Sequence, residues 1–418
     1  MKKIYLLLFC TSFLVGNAQT YWLRSQATST YPTWMGTDTE RGTAYNATND
    51  HMYVVTRLGN KIKVINSSTG ADLADVSDYT GVSGGTFILN DVEVSANGAI
   101  LAANMTTNST TSAFKIYKWD NETATPTVYI SYTGLAERLG DTFTVSGDIS
   151  NNAVIFANGR GTANIVRWVV TGGVLGAPTV ITLANAQGNI SLAYPKDVDA
   201  GAASKILVNS TGNPLRLYNA DGTYAGEEVS NTVLANSASD FKYFVLGGKE
   251  YIASYVAIAE DTALIDVTGG LGNAVTVTRS PKLGSVSNGN QAGGVGVKTE
   301  VDPVDGLNTI TVFTLGTNNG ISGTTLVYQG VTLDNKKFDL SESKIFPNPV
   351  TNEFQITLSH AIEKNAEAII YDINGRQVKS SKLLSKTQSI STENLSKGLY
   401  VVQVKNGNNQ SVIKLVKN

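Results

Sequence analysis

Residues Met52 to Gly70 read Met-Tyr-Val-Val-Thr-Arg-Leu-Gly-Asn-Lys-Ile-Lys-Val-Ile-Asn-Ser-Ser-Thr-Gly. Two short apolar runs, Met52–Val55 and Ile62–Ile65, flank a polar loop, and the second run leads into a turn that contains glycine. Short runs of β-branched and aromatic residues between turn residues are typical of β-strands. This stretch therefore predicts two strands joined by a loop, with a tight turn after them.

The same unit returns with a period of about 50 residues, and no sustained helical periodicity interrupts it. A further strand follows several of the pairs, as at Thr127–Ile130 and Thr179–Thr182. Repeats of this length with four strands each predict an all-β fold, the β-propeller, in which blades stack around an axis because one blade cannot bury both of its faces. The paired strands are 52–55 with 62–65, 99–102 with 114–117, 153–156 with 164–168, 205–208 with 215–218, 250–253 with 263–265, and 309–312 with 325–328.

The repeats favour six blades, but the sixth has no evident outer strand after Gln329. The segment Tyr21–Arg24 can supply that strand, which would close the ring and cover an exposed sheet edge. Seven blades are the alternative if Tyr31–Met35 contains further strands, and two separate β-sandwiches are a second alternative. We expect the propeller to occupy residues 19–332.

Residues 344–418 have a different pattern. They contain Lys344-Ile-Phe-Pro-Asn-Pro-Val350, Tyr371-Asp-Ile-Asn-Gly-Arg-Gln-Val378 and Leu395-Ser-Lys-Gly-Leu-Tyr-Val-Val-Gln-Val404. Alternating runs such as Glu353–Leu358 predict half-buried strands, and Asn374-Gly375 supplies the positive φ angles of a tight hairpin. The pattern predicts a small immunoglobulin-like β-sandwich.

This series of motifs resembles the type A C-terminal sorting domain of type IX secretion system cargo. The resemblance implies recognition by the type IX machinery and either anchoring at the cell surface or release. The propeller in turn resembles uncharacterised propeller-like domains that such cargo carries, and this brings no activity with it. An immunoglobulin-like module without a sorting role is the alternative. The motif residues are Pro347, Asn348, Pro349, Gly375, Gly398 and Tyr400.

The N-terminal pattern predicts a signal peptide over residues 1–18. Lys2 and Lys3 precede an apolar run, and Gly16-Asn-Ala18 is a small-residue cleavage context that would leave Gln19 at the mature terminus. Cys10, the one cysteine of the chain, lies in that run, so the mature protein is expected to contain no disulfide. The polar segment 333–343 is expected to be a linker. We therefore expect export to the periplasm and then to the outer surface or the medium.

The net charge of −2 conceals an asymmetry between the segments. Residues 341–418 carry +4 and residues 1–18 carry +2, which leaves −8 on residues 19–340. Nucleic acids and anionic membranes are bound through Lys and Arg, so an acidic passenger argues against both. No later segment has the roughly 18 consecutive apolar residues of a membrane span. The charge also favours neutral or cationic ligands over sulfated ones.

Metal and triad chemistry find little support in the passenger. Its one histidine, His51, cannot supply a catalytic zinc site, which usually has several His ligands, and it lies in a turn that is a poor setting for a Ser-His-Asp triad. Asp197–Gly201 opens like a calcium loop, but Val208 stands where the bidentate Glu of an EF-hand is needed. Asp302–Gly306 is more simply a turn. No cofactor is expected, with calcium as the alternative.

Polar residues recur at the strand ends of the repeats. Acids precede the first apolar strand of several repeats, and amides or arginines follow where the second strand ends. A closed ring would bring these positions to one mouth, where carboxylates and amides suit a polyhydroxylated ligand. The same side chains could instead bond to turn backbones. The candidate ligand-binding residues are Glu40, Arg41, Asp91, Asn104, Asn158, Arg160, Asp197, Asn209 and Asp240, with Trp34 and Tyr255 as stacking surfaces.

The function expected from this pattern is non-catalytic binding of a glycan or another extracellular polymer by a secreted or surface-attached propeller. The alternative is a propeller glycosidase or polysaccharide lyase, which would need a pair of carboxylates at a fixed separation. Its candidate acids are Glu40, Asp91 and Asp197. A pair of close, partly buried acids in the central mouth would favour the enzyme.

Overall fold

The computed structural model describes residues 19–185, 188–236, 238–301, 308–329, 343–358, 361–373, 375–406 and 409–418. The chain divides into two compact units, Met1–Gly330 and Val331–Asn418. The predicted signal peptide (1–18) lies outside the described residues, as does the predicted linker (333–343) except for its last residue.

The described part of the first unit consists of β-strands and two single-turn 3-10 helices, Gly201–Ala203 and Leu271–Asn273. Its strands are β1 (Gln19–Ser25), β2 (Glu40–Asn46), β3 (His51–Thr56), β4 (Lys61–Asn66), β5 (Phe87–Val94), β6 (Ile100–Met105), β7 (Phe114–Trp119), β8 (Thr127–Tyr132), β9 (Phe143–Gly147), β10 (Ala153–Asn158), β11 (Asn164–Thr171), β12 (Val174–Leu175), β13 (Thr179–Thr182), β14 (Ile190–Pro195), β15 (Ile206–Ser210), β16 (Asn213–Tyr218), β17 (Tyr224–Glu228), β18 (Ala238–Leu246), β19 (Lys249–Val256), β20 (Asp261–Asp266), β21 (Val275–Arg279), β22 (Gly293–Val301), β23 (Asn308–Gly316) and β24 (Gly320–Gln329).

These strands form six antiparallel sheets, the six blades of a β-propeller. Blade 1 is β2-β3-β4, blade 2 is β5 to β8, and blade 3 is β9-β10-β11 with β12 and β13 both paired to β11. Blades 4 and 5 are β14 to β17 and β18 to β21. Blade 6 is β22-β23-β24-β1. In blade 1 the outer position is taken by an irregular segment in which Leu73 N donates to Val64 O (2.8 Å) and Val76 N donates to Ile62 O (3.2 Å).

The N-terminal strand closes the ring, as the sequence predicts. β1 runs antiparallel to β24, from the pair Gln19 and Thr325 to the pair Ser25 and Gly320. Trp22 on β1 is buried, and its indole N–H donates to the carbonyl of Ser67 in blade 1 (2.6 Å). The segment from Tyr31 to Met35 contains turns and no strand, so the count is six and not seven.

Apolar clusters fill the space between each blade and the next. The cluster between blades 2 and 3 contains Phe114 and Trp168, whose rings are 6.3 Å apart, and the one between blades 6 and 1 contains Trp22, Phe313 and Met52. The other four interfaces have clusters of the same kind. Both faces of a blade are therefore buried, which is why strands such as β6 and β10 are buried at every position.

The innermost strand of each blade is the element that the sequence pattern does not reveal. The strand that the pattern places first in each repeat, such as Met52–Val55, is the second strand of its blade, and an inner strand such as β2 or β5 precedes it. Inner strands carry polar residues that the ring buries, for example Asp91 and Glu93 on β5. Most of the recurring acids therefore lie in or beside the inner strands and not in loops ahead of the sheet.

The second unit is the predicted small β-sandwich. Its core includes Val350, Phe354, Ile390, Val402 and Leu415. One sheet has the order β25-β26-β29 and the other β28-β27-β30-β31. The strands are β25 (Ser343–Phe346), β26 (Glu353–Leu358), β27 (Glu367–Asp372), β28 (Gln377–Lys382), β29 (Thr387–Ser391), β30 (Gly398–Asn406) and β31 (Asn409–Lys417).

Two of the motif residues make hydrogen bonds to the backbone of this sandwich. Asn348 donates to the carbonyl of Lys414 (2.6 Å) and accepts from the N–H of Val416 (2.9 Å), so it fixes the proline-containing segment to the last strand. Tyr400 is nearly buried, and its hydroxyl donates to the carbonyl of Ser396 (2.8 Å).

Candidate ligand-binding mouth

A cavity of about 920 Å³ opens where the inner strands of all six blades begin. Connections between the second and third strands of blades 1 to 4, and Arg138 from the connection between blades 2 and 3, contribute the rest of its wall. We call this cavity the mouth. Its lining residues are Asp38, Thr39, Arg41, Arg57, Thr86, Phe87, Met105, Thr107, Arg138, Asp141, Thr142, Arg160, Ser191, Thr211, Ser239 and the loop 289–293.

Four arginines face two aspartates in the mouth. Arg138 forms an ion pair with Asp141, and Asp38 is hydrogen-bonded to Asn318 (2.9 Å). Within the described residues, the guanidinium of Arg41 donates only to the backbone carbonyl of Glu40 (2.8 Å), and that of Arg160 has neither a hydrogen bond nor an ion pair. The mouth is therefore cationic, although the passenger as a whole is acidic.

The guanidinium of Arg57 packs against an aromatic ring and donates to a neutral amide. Its guanidinium carbon lies 3.4 Å from the centroid of the Phe87 ring, and its Nε donates to Asn90 Oδ1 (3.0 Å), a neutral acceptor. Burial lowers the pKa of Arg57 to about 9, and the neighbouring charge of Arg41 acts in the same direction. Burial also lowers the pKa of Arg41. Asp141 acts on both guanidinium groups in the opposite direction but does not offset the effect of burial.

Several polar atoms of the mouth have no partner. Arg138 Nε, Asp141 Oδ2 and Ser239 Oγ are buried and without a hydrogen bond in the part of the chain that the structure describes. Buried polar groups in proteins are nearly always hydrogen-bonded, to protein, water or a ligand. Their place in one cavity indicates a site that a polar molecule completes.

The charge of the mouth is unevenly distributed. Arg41 and Arg57 belong to blade 1, Arg138 to the connection between blades 2 and 3, and Arg160 to blade 3. The wall on blades 4 to 6 is neutral, with Ser191, Thr211, Ser239 and the loop 289–293. One half of the mouth therefore suits an anionic group, and the other half suits hydroxyls or an uncharged chain.

Several of the predicted ligand residues hold neighbouring blades together. Asp91 of blade 2 accepts from the N–H of Phe143 in blade 3 (2.8 Å), and Asp240 of blade 5 accepts from the N–H of Val295 in blade 6 (2.7 Å). Asn158 of blade 3 accepts from the N–H of Ala193 in blade 4 (3.1 Å). These side chains are buried and do not line the mouth, so the structure gives them the backbone-bonding role.

The remaining predicted residues are dispersed. Glu40 is fully buried, with one oxygen bonded to Thr39, Thr56 and the N–H of Gly36, and burial raises its pKa. Asn104 closes a loop of its own blade, and Asn209 is buried in β15. Asp197 lies exposed beyond the far end of β14, where it accepts from the N–H groups of Asp199 (3.0 Å) and Ala200 (3.3 Å). Of the predicted set, only Arg41 and Arg160 line the mouth.

The aromatic residues of the mouth also differ from those expected. Tyr255 is fully buried, with its hydroxyl donating to Glu260 (2.6 Å), so it cannot present a stacking face. Trp34 donates to Asp72 (3.0 Å) and does not line the mouth. The aromatic residue that lines the mouth is Phe87, which the sequence pattern did not single out and whose ring packs against Arg57. A search for arginines in the blade connections could have found the site.

A second group of charged residues fills the central channel. Lys242 of blade 5 donates to Glu93 of blade 2, on the opposite side of the ring. Burial is the main cause that raises the pKa of Glu93 to about 7 and that also raises the pKa values of Asp91 and Asp240. Burial alone would lower the pKa of Lys242, but Glu93 and Asp240 hold it above its ordinary value. We call Asp91, Glu93, Asp240 and Lys242 the channel cluster.

The described residues contain no group of three or more His, Cys, Asp or Glu side chains arranged to hold a metal ion. Asp197 is engaged with backbone N–H groups, and the Asp302–Gly306 turn lies outside the described residues. Within the described parts of the chain, helices with the length and hydropathy of a membrane span are absent.

Comparisons with known proteins agree with this fold. Residues 344–418 match the secretion system C-terminal sorting domain, so the chain is cargo of the type IX secretion system, exported to the cell surface or the extracellular space. A comparison with curated protein sequences gives no significant match.

Among solved structures, a DUF4623 family protein from Bacteroides eggerthii is similar at a TM-score of 0.63 and 19% identity, over 76% of this chain and 76% of that one. The PQQ-bound aldose sugar dehydrogenase from Streptomyces coelicolor has a TM-score of 0.42 and 11% identity, over 74% of this chain and 98% of that one. A GH43 β-xylosidase/α-arabinofuranosidase from a compost microbial metagenome has a TM-score of 0.35 and 10% identity, over 71% and 94%. The first likeness supports the propeller fold alone, and the two enzymes are too distant to support a function.

A second family model matches residues 28–240, which cover blades 1 to 4 and the beginning of blade 5. Because this match spans half of the chain, the protein belongs to the family described as Domain of unknown function (DUF8500).

Proposed function

We propose that the propeller is a non-catalytic binding module that holds an anionic glycan, or another anionic extracellular polymer, in its mouth. The sorting domain delivers the chain to the cell surface or beyond, where such polymers are found. The observation that carries the proposal is the set of four partly buried arginines, of which Arg41, Arg57 and Arg160 have no ion pair within the described residues.

The chemistry of the mouth supports this class of ligand. A guanidinium binds carboxylate or sulfate through two parallel hydrogen bonds, which are stronger than bonds between neutral groups. The hydroxyls of Ser191, Thr211 and Ser239 can pair with sugar hydroxyls across the neutral half. The local charge replaces the earlier expectation, drawn from the acidity of the whole passenger, that neutral or cationic ligands are preferred.

A glycosidase or lyase that uses a carboxylate pair is the alternative. The two acids of the mouth are engaged, Asp141 with Arg138 and Asp38 with Asn318. Glu40, Asp91, Glu93 and Asp240, whose pKa values burial raises, are nearly or fully buried and do not line the mouth. This arrangement favours binding over catalysis. Incubation of the protein with each polymer below, followed by an assay for new reducing ends and unsaturated products, tests the alternative directly.

Isothermal titration calorimetry of the mature full-length chain with polygalacturonate, heparin and dextran tests the binding proposal. We expect the carboxylated or the sulfated polymer to bind, with an affinity that falls as salt is added, and dextran not to bind. Arg160→Gln should weaken binding about 10- to 100-fold, the usual value of a hydrogen bond to a charged group.

Arg216→Gln is the matched control, since Arg216 on β16 forms an ion pair with Glu228 on β17 and does not line the mouth. It should bind as the unchanged protein does. Binding that is equal for dextran and the anionic polymers, or that survives Arg160→Gln unchanged, would contradict the proposal.

A further inference from the structure

A second, smaller cavity of about 310 Å³ lies on the same face of the propeller, between blades 5 and 6. Its walls come from the connection between β19 and β20 and from the connection between β21 and β22, which are the same kinds of connection that build the mouth. We call it the rim pocket. The residues that matter below are Ile258, Glu260, Lys282, Val286, Asn288 and Gln291.

The rim pocket and the mouth share a wall. Gln291 lines both cavities, and the loop 289–293 that carries it forms the neutral side of the mouth. A molecule that leaves the mouth on the side away from the arginines therefore passes over Gln291 and reaches the rim pocket.

The floor of the rim pocket is held in place by a buried network. Glu260 is 5% exposed, has a positive φ of 55° and accepts a hydrogen bond from the hydroxyl of Tyr255 (2.6 Å). Asn288 donates to the same hydroxyl (3.0 Å) and to the carbonyl of Ala292 (2.8 Å). Left-handed backbone at a residue other than glycine costs energy and is concentrated at functional sites, which suits a preformed pocket.

The open side of the rim pocket carries two exposed apolar side chains, Ile258 and Val286, and the ammonium group of Lys282, whose charge also acts on the buried Glu260. Ile258 is 78% exposed and Val286 is 45% exposed, and both lie beside Lys282. Lys282 is exposed and has no hydrogen bond or ion pair among the described residues. Apolar side chains pack against the C–H face of a sugar ring, and the ammonium group attracts an acidic substituent on it.

We propose that the rim pocket is a second subsite for the polymer bound in the mouth, an inference that rests on the proposed function. One acidic unit lies among the arginines of blades 1 to 3, and the chain crosses the neutral half of the mouth over Gln291. A later unit packs on Ile258 and Val286 with its acidic group near Lys282. The ligand is therefore an oligomer of acidic sugars long enough to reach from one cavity to the other, and its direction across the ring is fixed.

Titration of the mature full-length chain with galacturonate oligomers, from the dimer to the hexamer, and with a matched series of heparin fragments tests this inference. A second site on the same molecule acts at a high effective concentration, so affinity should rise at least about 10-fold once an oligomer spans both cavities. Ile258→Ser and Lys282→Gln should each weaken binding of the hexamer about 3- to 10-fold and leave the dimer unaffected.

Val174→Ser is the matched control for exposed apolar surface, because Val174 is 70% exposed on β12 of blade 3 and does not line either cavity. This variant should bind both the dimer and the hexamer with the affinity of the unchanged protein. Binding that requires Arg160 but has the same affinity for dimer and hexamer would overturn the second subsite and leave the proposed function standing. Failure of every oligomer and polymer to bind would overturn both.

Discussion

Replacing Glu93 by glutamine should remove a pH-dependent part of the stability of the propeller. The carboxylate of Glu93 lies in the central channel and accepts a hydrogen bond from Lys242 of the opposite blade. Glutamine has nearly the same size and keeps an acceptor for Lys242, but it does not titrate. The difference between the two proteins therefore reports mainly the proton of Glu93, together with the effect of its charge on Asp91 and Lys242.

The size of the effect follows from the pKa of Glu93. Burial is the main cause that raises it from 4.5 to about 7, with Lys242 opposing and Asp240 adding to the rise. The folded protein thus binds this proton more tightly than the unfolded chain does. The contribution to the free energy of unfolding is complete below pH 4.5, decreases as the pH rises through the window from 4.5 to 7, and is lost above it. A shift of about 2.5 pH units corresponds to about 3 kcal/mol.

Urea denaturation at pH 4.5, 6 and 8, followed by tryptophan fluorescence, measures this difference. All four tryptophans lie in the propeller, so the signal reports on that unit alone. The free energy of unfolding of the unchanged protein, minus that of Glu93→Gln, should fall by about 3 kcal/mol between pH 4.5 and 8. Glu300→Gln is the control, because the side chain of Glu300 is 55% exposed and lies outside the channel cluster.

Two outcomes would refute this reasoning. A difference that does not change with pH would mean that Glu93 titrates in the folded protein as it does in the unfolded chain. A difference that grows as the pH rises would mean that attraction to Lys242 outweighs burial and that the pKa of Glu93 is lowered.

Three further predictions concern the ring and the sorting domain. Asp91→Ala leaves a buried backbone N–H without its acceptor, so the free energy of unfolding in urea should fall by about 1 to 3 kcal/mol. The control Asp197→Ala removes an exposed side chain and should change it by less than about 0.5 kcal/mol. Equal effects of the two variants would contradict the role of Asp91 between blades. A Cβ at Gly294 would lie 2.8 Å from a side-chain carbon of blade 1, so Gly294→Ala should lower the free energy of unfolding by about 1 to 3 kcal/mol in the same assay. The control Gly272→Ala has open space around the added methyl group and should lower it by almost nothing. No effect of Gly294→Ala would mean that the inner strands are not closely packed. Deletion of residues 344–418 should leave the protein in the periplasm in cell fractionation, and its appearance at the surface would contradict the role of the sorting domain.

The blades could be predicted from the sequence because their middle strands are apolar on both faces. Runs such as Met52–Val55 and Ile62–Ile65 recur about every 50 residues through six repeats, and the closing strand followed from the outer position left empty in blade 6. The inner strands could not be predicted in the same way. Asp91, Glu93 and Asp240 are polar in sequence yet buried by the ring, so they resemble the residues of loops.

Of the residues predicted for the candidate site, Arg41 and Arg160 line the mouth. A recurring acid or amide looks the same in sequence whether it binds a ligand or a neighbouring blade, and only the structure shows that Asp91 accepts from Phe143 N–H. Arg41 lies in an inner strand, and the other three arginines of the mouth lie in connections of unequal length, so no spacing relates Arg138 to Arg57. The net charge of the passenger does not reveal the four arginines of the mouth, because the sum over the passenger hides a local cluster of the opposite sign.

The pairing of β1 with β24 determines how the ring responds to a pulling force. Because the two strands are antiparallel, Gln19 lies opposite Thr325, so the start of β1 and the end of β24 leave the sheet at the same end. Tension between these two points would load the hydrogen-bonded pairs one after another, beginning at Gln19. Tension applied to strand ends that leave the sheet at opposite ends would instead have to shear many pairs at once. The propeller is therefore mechanically weakest at the pairing of β1 with β24. A pull on the start of β1 and the end of β24 would separate these two strands pair by pair.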